Sequence, residues 1–143
     1  MPKVVVVLVA LAVSAGVVGA QAIAASGGTK VIKVKMTGKQ EVPKGSPTGS
    51  GSATITLKGA NAKVCYKLSW SKIGTPNAAH IHKGAKGKAG SVVVALFGNP
   101  PAKRSGCVTA KKSLIAAIAA KPGAYYVNVH TKKYGAGAIR GQL

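Results

Sequence analysis

Ala53 to Trp70 reads A-T-I-T-L-K-G-A-N-A-K-V-C-Y-K-L-S-W. Ala53, Ile55 and Leu57 alternate with Thr54, Thr56 and Lys58. After the turn residues Gly59-Ala60-Asn61, Val64, Tyr66, Leu68 and Trp70 alternate with Lys63, Cys65, Lys67 and Ser69. A period of two puts successive side chains on opposite faces of a strand, so the two runs predict a β-hairpin with one apolar and one polar face. By this phase Cys65 lies on the polar face, where a bridge from it would tie down a covering segment.

The same alternation extends outward. Ile32, Val34 and Met36 alternate with Lys33 and Lys35, and Lys44 to Gly51 (K-G-S-P-T-G-S-G) reads as a loop. Val92 to Phe97 (V-V-V-A-L-F) is apolar at every position, which predicts a central or covered strand. Ala110 to Ala120 is the one helical candidate, with Leu114, Ile115 and Ile118 as its stripe and Lys121-Pro122-Gly123 as its stop. About eight short strands and one short helix predict an all-β sandwich with a helical connection, in one domain.

The charge balance excludes several chemistries. The 143 residues hold 21 Lys plus Arg against a single acid, Glu41, for a net charge of +20. Paired-carboxylate acid/base catalysis needs two acids, and a Ser-His-Asp arrangement would have only Glu41 to draw on. The basic residues are spread along the chain and the six aromatics are not interleaved with them, so no specific nucleic-acid reader is expected. A positive surface attracts anionic ligands without recognising them.

Met1 to Ala25 begins with Lys3, runs apolar from Val4 to Val18, and ends in A-x-A spacings at Ala20-Gln21-Ala22 and Ala22-Ile23-Ala24. This is a secretory signal pattern, cleaved after Ala24 or Ala25, leaving residues 26–143 as the mature domain. The competing reading is an uncleaved anchor, in which case the protein would be held at a membrane. Export gives the two cysteines a meaning: Cys65 and Cys107 are an even pair in an oxidising compartment, so one disulfide is expected.

All three histidines fall in two segments, Ala79 to Gly90 (A-H-I-H-K-G-A-K-G-K-A-G) and Tyr125 to Thr131 (Y-Y-V-N-V-H-T). In strands, His80 and His82 share a face, and Tyr126, Asn128 and His130 share another. If the strands are neighbours, three imidazoles converge and could bind copper or zinc through neutral nitrogens. No acid is expected as the outer partner of a ligand histidine, so backbone carbonyls or Asn128 would serve. The competing reading has the histidines bonding to loop backbone and stiffening one end of the fold.

Four segments carry a family resemblance: G-K-Q-E-V-P at Gly38 to Pro43, A-A-H-I-H-K-G-A-K-G-K-A-G at Ala78 to Gly90, Y-Y-V-N-V-H-T at Tyr125 to Thr131, and G-A-I-R-G-Q-L at Gly137 to Leu143. In this order they resemble the CHRD domain, the chordin-type module also found as a single-domain exported protein in bacteria. The match departs from the pattern at Gly135, where proline is usual, and at Ala138, where an acid that could pair with Arg140 is usual. The resemblance implies an immunoglobulin-like β-sandwich with a Greek-key strand arrangement likened to copper–zinc superoxide dismutase. It implies no settled activity. Dismutase chemistry is not expected, since the two-metal site needs further histidines and an aspartate that the chain lacks.

The remaining candidates have two readings each. Gly84, Gly87 and Gly90 could form a backbone anion nest beside Lys83, Lys86 and Lys88, or a tight connection needing positive φ at several points. Arg140 could face an anionic ligand, or lock the last strand by donating to carbonyls, which is the favoured reading. Asn128 and Thr131 are expected as turn and ladder residues that support the site. The expectation for the whole is a secreted, disulfide-bonded binding or structural module, not an enzyme. Its working end would be the His80/His82/His130 face, and its partner a protein or an anionic surface ligand.

Overall fold

The computed structural model describes residues 27–98 and 102–143. The segment read as a signal peptide lies outside them. Among the described residues no helix is long and apolar enough to cross a membrane. The strands are β1 (Thr29–Thr37), β2 (Ser50–Lys58), β3 (Lys63–Ser71), β4 (Pro76–Lys83), β5 (Ser91–Gly98), β6 (Ser105–Thr109), β7 (Tyr125–Thr131) and β8 (Ile139–Gln142), with one helix, α1 (Lys112–Ala120), between β6 and β7. The expected all-β class with one short helix is what the chain forms.

The hairpin read from Ala53 to Trp70 is present in full register. Ala53 faces Leu68, Ile55 faces Tyr66 and Leu57 faces Val64 across β2 and β3. Their side chains are buried with Met36 of β1 against Ile81 of β4, Val127 and Val129 of β7 and Ile139 of β8. Helix α1 places Ile115 and Ile118 into the same core. Each such side chain stabilises by roughly 1.5–3 kcal/mol through burial.

Hydrogen-bonded neighbours run in the order β5-β4-β7-β8-β1-β2-β3-β6, all antiparallel. Two groups of four strands are joined at β8 and β1 by one residue pair, Thr37 with Arg140. The end strands β5 and β6 approach each other, so the sheet is nearly closed.

Of the two readings of the apolar run Val92 to Phe97, central or covered, the covered one holds: among the described strands β5 lies at one end of the order and pairs with β4. Its inner face is Val94 and Leu96, while Val93 packs against the core beside Ala110 and Leu114, and Val92 is half-exposed. Approach of the β6–α1 connection, not a second hydrogen-bonded neighbour, explains the apolar outer face. The Cys65–Cys107 bridge forms, but it joins directly opposed residues of adjacent strands instead of holding down a covering segment.

Among the described strands β6 pairs with β3 alone, so the bridge fixes the last strand of the order. Closing the 42-residue separation removes denatured-state entropy worth about 4 kcal/mol on the chain-entropy model. The double variant Cys65→Ala/Cys107→Ala is expected to lose about that much in urea unfolding. The β6 amides should lose hydrogen-exchange protection first, and unchanged stability would contradict the assignment.

Candidate metal centre

Strand β7 sits between β4 and β8, and all seven of its residues are buried. Tyr125, Val127 and Val129 face the core, as alternation requires. The opposite row, Tyr126, Asn128 and His130, is polar and covered as well. Buried polar groups are costly unless bonded, and the bonds made by this row define the site.

The register across β4 and β7 sets His80 opposite Asn128, His82 opposite Tyr126 and Ala78 opposite His130. The three histidines therefore share one face of two adjacent strands, as the sequence predicts. One ring nitrogen from each lies within 4.8 Å of the others. The closest pair is His80 Nδ1 and His130 Nε2, 3.1 Å apart. A tetrahedral ion with 2.0–2.1 Å bonds sets its nitrogens about 3.3–3.4 Å apart. That pair is slightly tighter than this spacing, and the widest separation must close by at most about 1.4 Å through side-chain rotation.

The tautomers are directed by backbone. His82 Nδ1 donates to the Gly90 carbonyl and His130 Nδ1 to the Gly135 carbonyl, each at 2.9 Å. Both Nε2 lone pairs are thereby turned inward. Nε2 of His82 is buried and has no hydrogen-bond partner. His130 Nε2 lies 2.9 Å from Asn128 Oδ1, and the Asn128 amide bonds in turn to Glu41. Burial, followed by the neighbouring His130 and His82, pushes His80 down to about 4. Burial also lowers His130, partly offset by its bond to Gly135. Both rings are therefore neutral at pH 7, the form that binds metals.

Around the centre a stack runs across three strands. The His82 ring lies parallel to Tyr126 at 4.7 Å, and the Arg140 guanidinium sits 3.4 Å over the same phenol. Arg140 is buried and donates to the carbonyls of Lys88 and Ala85 and to Gln142 Oε1. Gln142 Nε2 adds bonds to the carbonyls of Gly84, Gly123 and Tyr125. Together they pin the Gly84–Gly90 loop over β7. The locking role favoured for Arg140 is the one its bonds describe.

The loop's hydrogen bonds are turned towards the fold. Its carbonyls turn inward to Arg140 and Gln142. The Gly84, Lys88 and Gly90 N–H groups are taken by Ala124 O, Ala85 O and the Tyr126 hydroxyl. Nor is positive φ general there: only Gly87 has it, whereas Gly90 is needed because a Cβ would lie 1.7 Å from the Lys83 carbonyl. Asn128 belongs to the site. Thr131 does not; it faces the other way and accepts from the Tyr134 N–H in the following turn.

Glu41 stands behind the polar row of β7. The expectation that no acid stands behind the histidines is corrected, because Glu41 reaches His130 through Asn128. Only 3% exposed, its carboxyl fills the space that a side chain at Gly137 would occupy, and Oε1 has no hydrogen-bond partner. Burial outweighs Asn128 and the Arg140 charge and pushes its pKa up to about 7. The signal was its singularity: a lone acid among 21 basic residues, in no surface charge pattern.

A family model described as CHRD domain matches residues 32–143, spanning the hairpin, the histidine strands and Arg140. No curated protein and no solved structure matches the chain.

The raised carboxyl gives a pH signature. The folded chain holds a proton on Glu41 between its ordinary value of 4.5 and about 7, so stability falls as pH rises through that window. His80 acts oppositely, since its lowered value makes stability fall as pH drops from 6.5 towards 4. Glu41→Gln removes the first effect alone. Its stability relative to the parent should rise by about 1–3 kcal/mol from pH 5 to pH 8, read by urea unfolding at each pH. A difference independent of pH would contradict this account of the carboxyl.

Proposed function

The chain belongs to the CHRD domain family, and on that premise we propose that it is an exported binding module whose three histidines hold one copper or zinc ion. The observation that carries the reading is the buried, unpartnered Nε2 of His82, directed by its Nδ1 bond to Gly90. A buried acceptor without a partner is costly, and an ion between the rings would satisfy it. Nδ1 bonded to a carbonyl with Nε2 left for the metal is also the usual outer support of a ligand histidine. Three imidazoles without carboxylate or thiolate suit copper(II) or zinc, since both cysteines are taken up in the disulfide.

On this reading His80, His82 and His130 are ligands, the Gly90 and Gly135 carbonyls orient His82 and His130 through Nδ1, and Arg140 with Gln142 keeps the covering loop closed. Binding at His130 Nε2 displaces its contacts to His80 and Asn128. The basic chain repels free cations, so affinity must come from coordination and not from the surrounding field. Copper–zinc dismutase chemistry is not part of the proposal, because the chain has three histidines and no aspartate. The scarcity of acids supports a binding role over a catalytic one.

The finer architecture fits the same family reading. The two four-stranded groups would be the layers of an immunoglobulin-like Greek-key sandwich, in the arrangement likened to copper–zinc superoxide dismutase. Support comes from the non-sequential order, with β6 beside β3 and β7 between β4 and β8. The disulfide is consistent with an extracellular location.

Calorimetric titration of the metal-free protein with copper(II) and zinc(II) tests the proposal. One ion per chain is expected. Binding should be lost in His82→Ala/His130→Ala. Unchanged binding in the double variant, with its fold verified by circular dichroism, would overturn it.

A further inference from the structure

Outside the histidine centre, a cleft of about 400 Å³ opens between two loops. Lys39, Val42, Pro43 and Lys44 form one lip, Lys86 and Gly87 the other, and Arg140 and Gln142 the floor. All three lysines are exposed. Glu41 also lines the cleft, but its carboxyl is buried and bonded to Asn128, so at most one of the four positive charges is offset. Among the described residues Val42 is one of three large apolar side chains left exposed, and it lies with Pro43 beside the charged rim.

We infer that this cleft is a binding site for an anionic group, phosphate or carboxylate, carried on a short apolar stem. Cations on facing lips converge on one anion in a way that lysines along an open strand do not. The anion sits between the lysine ammonium groups while the stem lies on Val42 and Pro43, whose burial adds a contact that a bare ion cannot make. The site is separate from the histidine centre and does not depend on a metal. Arg140 links the two only as a structural floor, since three of its five N–H donors already hold Lys88, Ala85 and Gln142.

The test uses metal-free protein, titrated by nuclear magnetic resonance at about 150 mM salt with inorganic phosphate and with hexyl phosphate. Hexyl phosphate should bind saturably, shift the Val42 and Gly87 amides, and bind about tenfold more tightly than inorganic phosphate. Lys39→Gln/Lys86→Gln should weaken it about tenfold. Lys33→Gln/Lys67→Gln, which removes the same charge from exposed strand positions, should change it by less than about twofold. Equal losses in the two double variants would reduce the effect to net charge and overturn the site. So would an absence of saturable binding. Inorganic phosphate binding as tightly as hexyl phosphate would overturn the ligand class.

Discussion

Covering β7 on both faces is the constraint from which the rest of the site follows. A strand buried on one side can leave its polar row to water; this one cannot, because the Gly84–Gly90 loop and the Glu41 segment lie over it. Tyr126, Asn128 and His130 must therefore find partners inside the protein. Arg140 closes the arrangement from the next strand by holding the loop through two of its carbonyls while stacking on Tyr126. Loss of that guanidinium would leave loop carbonyls and the Tyr126 face without partners at once, which is why a buried charge is tolerated there.

The charge distribution has two scales. Globally the chain is strongly basic, which favours anionic surroundings and bears little on the fold. Locally its only acid is withdrawn from the surface and set behind the histidines. A carboxyl with a pKa near neutrality is bonded to the amide beside His130, which ties the lone acid to the polar row of β7. The same segment that buries Glu41 exposes Lys39, Val42 and Lys44, so one loop shapes both the centre and the cationic cleft.

Much of this was legible in the residue pattern. Alternation at Ala53–Leu57 and Val64–Trp70 gave the hairpin register, and spacing alone put the histidines on common faces. What the pattern could not carry was long-range covering. Val92 to Phe97 looks central because apolar residues occupy both faces, and nothing local distinguishes a second strand from a passing helix connection. Glu41 is separated from Asn128 by most of the chain, so no spacing relates them. The glycine loop was read for its N–H groups, whereas its inward carbonyls depend on Arg140 and Gln142 near the far end of the sequence.

The central claim is that one ion lies among three imidazoles from two adjacent strands, and X-ray absorption of the copper-loaded protein measures this most directly. The account predicts a first shell with three imidazole nitrogens at about 2.0–2.1 Å, including the outer-ring scattering that marks histidine. A shell of oxygens alone, or one with a single imidazole, would contradict it.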